Sequence, residues 1–500
     1  MLPKPQAGLT PNTLEFETTP LVKPTGFREY DARWLYPEDF NLLGAQSLGL
    51  GLGTAIHELG VTPAIAVGHD YRSYSTSIKQ ALIVGLMSAG CEVHDIGLAL
   101  SPIAYFSQFA LDVPCVAMVT ASHNNNGWTG VKMGAQRPLT FGPDEMSLLK
   151  DIVLSGKGQM RAGGSYHFVD DMREQYMADL TAHAPFKNKF KAVVACGNGT
   201  AGAFAPEVLS KLGVDVIPLH CDLDYTFPNH NPNPEDMKML HALRESVLET
   251  KADVGLAFDG DGDRCGVVDN QGEEIFADKV GVMLARDLSE IHSNATFVVD
   301  VKSTGLFLTD PLLKKNGATT DYWKTGHSYI KRRANELKAL VGFEKSGHYF
   351  FNAPIGRGYD DGLVSAIAIL DMLDRNPDKK MSDLRDNLQK TWGSPTMSPH
   401  CPDDKKYGVV DQIVQHFLDL EAQGASLIGQ PIRSVVTVNG MRVTVEDGTW
   451  GLIRASSNIP GLVVVVESPT SEENMRAIFK ELDQILSTYP DVGEYDQKLP

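Results

Sequence analysis

Residues 115–132 read Cys-Val-Ala-Met-Val-Thr-Ala-Ser-His-Asn-Asn-Asn-Gly-Trp-Thr-Gly-Val-Lys. The apolar run Cys115 to Val119 has the length and composition of a buried strand. The chain then turns polar through Ser122, His123, three Asn and Gly127, which marks an exposed loop. Such a loop presents the Ser122 hydroxyl among backbone N–H groups and short polar side chains. Taken alone, the residues fit either a solvated turn or the loop of a nucleophile or phosphate carrier. Distant segments of the same shape decide between the two.

Residues 254–268 read Val-Gly-Leu-Ala-Phe-Asp-Gly-Asp-Gly-Asp-Arg-Cys-Gly-Val-Val. Asp259, Asp261 and Asp263 alternate with Gly260 and Gly262, and three carboxylates this close repel one another unless a cation lies between them. Oxygen-only ligands on a compact loop suit a hard cation such as Mg²⁺, which combines a few carboxylates with a phosphate oxygen. A calcium-binding EF-hand loop would need a preceding helix and Glu at its twelfth position. Here a strand-like run precedes, and the twelfth residue is Asn270.

Residues 340–351, Leu-Val-Gly-Phe-Glu-Lys-Ser-Gly-His-Tyr-Phe-Phe, place Glu344, Ser346 and His348 between two apolar runs. In an extended loop alternate residues point the same way, so these three would converge on sugar hydroxyls. Residues 450–467, Trp-Gly-Leu-Ile-Arg-Ala-Ser-Ser-Asn-Ile-Pro-Gly-Leu-Val-Val-Val-Val-Glu, set Arg454, Ser456, Ser457 and Asn458 between two strands. They fit a phosphate cradle, because a guanidinium fork matches phosphate oxygens. A hairpin turn with one surface Arg fits equally well.

The chain organises around these loops. Apolar runs ending in a polar turn recur at Ala64 to Ser75, Ala192 to Gly202 and Thr296 to Gly305, each followed by one of the first three strand–loop–strand segments. The pattern predicts three α/β units of related topology, with Ser77 to Met87 as one of their helices. After about residue 390 short strands are predicted at Ser434 to Val438, Met441 to Val445, Gly451 to Arg454 and Leu462 to Val466, with Asn439-Gly440 as a hairpin signal. A terminal helix follows, with Met475, Ile478, Phe479, Leu482, Ile485 and Leu486 on one face and a capping box from Thr470 to Glu473. This is a separate α+β domain, joined through Gly393 to Asp404, a stretch with three Pro and two Ser. The expected domains are residues 1–165, 166–272, 273–390 and 391–500, a number that suits a chain of 500 residues.

Composition excludes more than it selects. A hydrophobic fraction of 42% is ordinary. A formal charge of −18 with no basic block argues against general nucleic-acid binding. It also means that a phosphorylated substrate must be held by local Arg and Lys. No run has the length and apolarity of a membrane span, and Met-Leu-Pro-Lys-Pro-Gln lacks the features of a signal peptide. The six cysteines, at 91, 115, 196, 221, 265 and 401, form no Cys-x-x-Cys pair. A cytoplasmic chain without structural zinc or membrane association is expected. The absence of Gly-x-x-x-x-Gly-Lys-Ser/Thr argues against a P-loop nucleotide hydrolase.

Together these loops resemble those of the α-D-phosphohexomutase family, and within it the phosphomannomutase/phosphoglucomutase branch. Thr-Ala-Ser-His-Asn, Asp-Gly-Asp-Gly-Asp-Arg, Glu-x-Ser-Gly-His and Arg-x-Ser occur in the family's order. Phe27-Arg28-Glu29-Tyr30-Asp31-Ala32-Arg33 and Lys324-Thr325-Gly326-His327-Ser328 match two further stretches. The resemblance covers nearly the whole chain. It implies an α/β fold of three related mixed-sheet domains plus a C-terminal α+β domain around a central cleft. It implies reversible phosphoryl transfer between the 1- and 6-positions of a hexose phosphate, mannose and/or glucose, with hexose 1,6-bisphosphate as intermediate and activator. Ser122 would carry the phosphoryl group, and Asp259, Asp261 and Asp263 would hold one Mg²⁺ per chain, with a phosphoserine oxygen as a further ligand. Lys132 and His327 become candidate general acids or bases, and Arg264 a contact to substrate or phosphoserine. His123 and Asn124 shape the loop, and Tyr30, Arg33 and Lys302 line the cleft. The chain is expected to be a monomer or weak homo-oligomer.

Three departures bear on specificity. Ser456-Ser457-Asn458-Ile459 lacks the family's usual Thr, Lys345 lies inside the sugar loop, and His69 replaces an Arg in Gly68-His69-Asp70-Tyr71-Arg72-Ser73. A phosphoglucosamine mutase of the same fold is one alternative. A non-catalytic sugar-phosphate binder is another, which the Ser122 loop and the three Asp residues argue against.

Overall fold

The computed structural model describes residues 3–182, 184–457 and 459–499. Four sheets carry the fold, and three share one connectivity. In the first, Ala64–His69 runs parallel to Glu92–Leu98 on one side and to Cys115–Val119 on the other, and Trp128–Gly134 returns antiparallel along Cys115–Val119. The second repeats this with Lys191–Ala195, Asp215–Leu219, Val254–Phe258 and Cys265–Asp269. The third repeats it with Thr296–Asp300, Thr319–Trp323, Val341–Phe343 and Tyr349–Phe351. The faint sequence repeat is therefore a repeated topology. In each unit the polar loop leaves the carboxyl end of a parallel strand, where open α/β sheets place their ligands.

Apolar strands and helices follow from burial on both faces. Every residue of Cys115–Val119 and Val254–Phe258 is buried. In the first unit, helices Leu42–Glu58 and Ser75–Ser88 pack closely enough that a Cβ on Gly85 would lie 2.1 Å from the Gln46 carbonyl oxygen. One apolar core, including Met118, Tyr176, Val194, Phe258, Phe297 and Phe343, runs through all three units.

The fourth sheet is antiparallel throughout, in the order Trp392–Gly393, Leu462–Ser468, Trp450–Ala455, Met441–Val445, Gln430–Val436, Ser426–Leu427. It buries its own core around Val443, Ile453, Val464, Ile478 and Leu482. A small cluster of Val301 with Trp450, Leu452, Val463 and Val465 joins it to the third unit.

Some expectations shift. The helix Glu472–Leu486 is capped by Ser471, whose oxygen accepts from the Asn474 N–H, and not by Thr470. Thr470 instead donates to Asp447. Gly393 to Asp404 forms an edge of the fourth sheet instead of a free connector, since Met397 and Val464 exchange two backbone hydrogen bonds. Ser165–Phe168 pairs with Glu92–Leu98, and Glu274–Ile275 with Cys265–Asp269. Strand pairing in the first two units thus runs a few residues past the expected limits at 165 and 272. Among the described residues no helix is long and apolar enough to cross a membrane.

Candidate active site

Ser122 is 1% exposed, so the polar loop is exposed at its Asn tip and not at the serine. The chain reaches this position in the left-handed region, at φ 51°, a conformation that costs a non-glycine residue free energy and persists only when surroundings hold it. Arg72 supplies much of that hold. Fixed by Asp70, it donates to the carbonyls of Ser122 at 3.0 Å and Asn124 at 2.7 Å. The Ser122 N–H donates to Thr120 Oγ1, and its hydroxyl donates to Asp259 Oδ2 at 3.1 Å. Gly260 permits this approach, because a Cβ there would lie 2.6 Å from the Ser122 carbonyl oxygen.

Asp259, Asp261 and Asp263 are all 0% exposed and offer oxygens within 4.8 Å of one another. Asp259 Oδ1 accepts from the N–H groups of Asp263 and Arg264. Asp261 Oδ2 accepts from Ser101 at 2.6 Å and from Lys132. Oδ1 of Asp261 and Oδ1 of Asp263 are buried without a hydrogen-bond partner, which is costly unless a cation compensates. Burial, then repulsion from Asp263 and Asp261, drives the Asp259 carboxyl well above the usual range. An all-oxygen triplet with unsatisfied lone pairs fits a divalent cation such as Mg²⁺.

Lys132 ion-pairs with both Asp261 and Asp263. Burial opposes its charge, but the two carboxylates outweigh burial and hold the ammonium well above its ordinary pKa. It stands here as a countercharge to the two acids. Burial pushes His327 well below the ordinary value, and neither ring nitrogen has a hydrogen-bond partner. Its ring meets Tyr30 edge-on at 4.8 Å. His123 is likewise driven low, by burial and then Arg264 and Arg33, with Nδ1 at 3.3 Å from the Ser122 hydroxyl.

The sugar loop is a tight turn instead of an extended segment, closed by the Glu344 N–H to the His348 carbonyl at 3.0 Å. Glu344 and His348 face each other across the turn, close enough to interact electrostatically. Glu344 accepts the Gly326 N–H beside His327. His348 Nε2 accepts Arg264 Nε–H at 2.9 Å. Ser346 sits half-buried at the turn. Lys345 lies near Asp278 at 3.8 Å and over the Phe276 ring, within the third unit.

Arg33 donates to Asp31 and Asn124. Lys302 is buried close enough to Glu344 to favour its charge. Arg454 is 6% exposed, with Nε unpartnered and Nη1 on the Ala455 carbonyl. Ser457 hydrogen-bonds Tyr30, and Ser456 accepts the Ile459 N–H. Asn458 lies outside the described residues. The four loops thus meet, and a cavity of about 380 Å³ lined by Arg28, Arg33, His123 and Asn124 opens beside them. The loop compositions signalled these residues. Ser101 had no such signal, because its partner Asp261 lies 160 residues away in sequence.

Models of the phosphoglucomutase/phosphomannomutase α/β/α domains I, II and III match residues 24–159, 168–272 and 276–391. A phosphomannomutase/phosphoglucomutase of Pseudomonas aeruginosa is 32% identical over 475 residues, 94% of this chain and 98% of the relative. A phosphoglucomutase of Neisseria meningitidis is 31% identical, covering 89% and 93%. The crystal structure of a phosphoglucomutase/phosphomannomutase family protein from Burkholderia thailandensis superposes with a TM-score of 0.83 at 28% identity, covering 94% and 98%.

Proposed function

The chain belongs to the phosphoglucomutase/phosphomannomutase family of isomerases acting on hexose phosphates, and we propose that it moves a phosphoryl group between the 1- and 6-positions of mannose or glucose phosphate by way of phosphoserine 122. The observation that carries this reading is the buried Ser122 hydroxyl, 3.1 Å from one acid of a partly unsatisfied triplet. A pure binding site needs neither a phosphoryl carrier nor a metal beside it.

Asp259, Asp261 and Asp263 would hold Mg²⁺, which when bound supplies positive charge to the oxygens of the group in transfer. The remaining chemistry belongs to side chains. A phosphoryl group on Ser122 Oγ passes to the free hydroxyl of a hexose 1- or 6-phosphate, and the bond to the sugar forms as the bond to Ser122 breaks. His327, unengaged in hydrogen bonds, takes the hydroxyl proton, and the departing Ser122 oxygen takes up a proton from solvent as it leaves. Lys132 and Arg264 keep positive charge beside the phosphoryl oxygens. The resulting hexose 1,6-bisphosphate turns around, and Ser122 recovers a phosphoryl group from the other end. Arg454 with Ser456 and Ser457 grips the distal phosphate, while Glu344, Ser346 and Lys302 meet the sugar. Tyr30 and Arg33 wall the cleft. The protein works in the cytoplasm on a small-molecule substrate, as a monomer or weak homo-oligomer.

A coupled assay with mannose 1-phosphate, glucose 1-phosphate and glucosamine 1-phosphate, with Mg²⁺ and the matching bisphosphate, tests the reading. Turnover of the first two is expected. Turnover of glucosamine 1-phosphate alone would reassign the sugar, and turnover of none would refute the mutase.

A further inference from the structure

The hairpin turn Asn439-Gly440 of the C-terminal domain touches two parts of the site that the reaction scheme treats separately. On one side it packs on the phosphate cradle. Gly440 sits at φ 78°, and a Cβ there would lie 2.6 Å from Cβ of Arg454. On the other side it crosses to the third unit, where Asn439 Oδ1 accepts the Thr325 N–H at 3.3 Å. Thr325 lies two residues before His327, in the turn between the strand Thr319–Trp323 and the helix His327–Glu336. The same turn has two acceptors from its own unit. Thr325 Oγ1 donates to Asp300 Oδ2 at 3.0 Å, and the Gly326 N–H donates to Glu344. His327 itself has no hydrogen-bond partner on either ring nitrogen. Its place is therefore set by the backbone that leads into it and by ring contacts such as that with Tyr30. The strand that follows the hairpin is anchored. Its Arg442 donates to the carbonyls of Val301 at 2.7 Å and Ser303 at 2.8 Å and lies over the Tyr322 and Trp450 rings.

We infer that Asn439 is a positioning residue for the reaction, a side chain of the C-terminal domain that holds the turn at residues 324–327 and so sets His327 against a phosphate gripped by Arg454. A backbone N–H in a part-buried turn needs an acceptor, and this one comes from the domain that carries the phosphate cradle. Asp300 and Glu344 belong to the same unit as Thr325 and hold the turn wherever the C-terminal domain lies. Asn439 holds it only while that domain is docked. A small misplacement of a group at the reacting atoms lowers the rate steeply, so the contact ties His327 to the seating of the distal phosphate. Its kinetic consequence rests on the mutase reading, but its geometry does not.

Amide hydrogen exchange in the full-length protein labelled with [¹⁵N]threonine tests the contact, with the Thr325→Val spectrum identifying the Thr325 signal. Residue 439 lies outside the left-handed region, so Asn439→Ala fits the backbone while removing the acceptor. In that variant the Thr325 amide should exchange about fivefold faster, the change expected for one net hydrogen bond of about 1 kcal/mol. The kcat on hexose phosphate should fall by about tenfold, with KM within about twofold of the wild type. Asn439→Asp keeps an acceptor oxygen and should restore the protection of Thr325 and part of kcat. An unchanged Thr325 exchange rate in Asn439→Ala overturns the contact. An unchanged kcat, or a loss confined to KM, overturns the positioning role. If Asn439→Ala does not fold, Asn439→Gly removes the same acceptor in a hairpin that tolerates glycine and decides in its place. If the wild type turns over no hexose phosphate, the mutase reading fails and the kinetic role with it, while the exchange rates still judge the contact.

Discussion

The hydroxyl of Ser122 donates to Oδ2 of Asp259 at 3.1 Å, across 137 residues of sequence. The contact joins the loops of two different sheets and puts the Ser122 hydroxyl at the edge of a repulsive acid cluster. Most of what the site does, and most ways to test it, follow from this pair.

Ser122→Ala should lower mutase turnover by at least about a thousandfold, as loss of a covalent carrier does. The fold should survive, since one hydrogen bond is worth about 1 kcal/mol. Intact-mass analysis of the wild type should show a species about 80 Da heavier that the variant lacks. Full turnover by Ser122→Ala would remove the serine from the mechanism.

Asp259→Asn should raise the melting temperature of the metal-free protein, because it removes the carboxylate whose charge burial and its two neighbours oppose most. The same change should abolish stabilisation by Mg²⁺. In the wild type each tenfold rise of Mg²⁺ above its dissociation constant should add about 1.4 kcal/mol. Thermal melts across a Mg²⁺ series measure both effects, and an undiminished Mg²⁺ response in the variant would move the metal elsewhere.

Glu467 makes stability depend on acid pH. Burial works against its charge, but Lys279 at 2.8 Å and donors including Thr304 and the Gly305 N–H outweigh burial and pull the carboxyl down to about 2. A group depressed in the fold contributes stability above its unfolded pKa of about 4.5 and loses it as pH falls toward 2. The contribution is about 3 kcal/mol. Denaturant unfolding at pH 6 and pH 3 should show a smaller acid loss in Glu467→Gln than in the wild type. Equal losses would mean that the joint between the third unit and the C-terminal domain does not titrate this way.

Glu29 clasps three domains. Its two oxygens accept from Tyr329 at 2.7 Å and Tyr407 at 2.6 Å. Burial, and then Glu29 itself, keep both phenols protonated. Glu29→Ala should loosen the C-terminal domain and raise KM by about tenfold, the equivalent of 1.4 kcal/mol, with less change in kcat. Small-angle scattering should show a larger radius of gyration. An unchanged radius and KM would show that other contacts hold the cleft closed.

The chemistry of each loop was legible because loop composition is local. Apolar strands flanking Ser122, the Asp triplet and Glu344 announced buried sheets with polar ends, and the spacing of the acids announced a hard cation. The repeated run-and-turn pattern announced three related units. The turn in the sugar loop was not legible, because Gly347 reaches φ 94°, a conformation that two-residue alternation does not signal.

Protonation and partnership needed the tertiary structure. Folding sets Lys132 between Asp261 and Asp263, which favours its charge, and buries His327 without a hydrogen-bond partner, which disfavours its charge. Arg72 and Glu29 act on groups 50 to 378 residues away. Residue types and spacings alone determined which ligand chemistry each loop carries. Burial and long-range distance, which no local pattern encodes, decided which charges survive in the cleft and which residues hold it together.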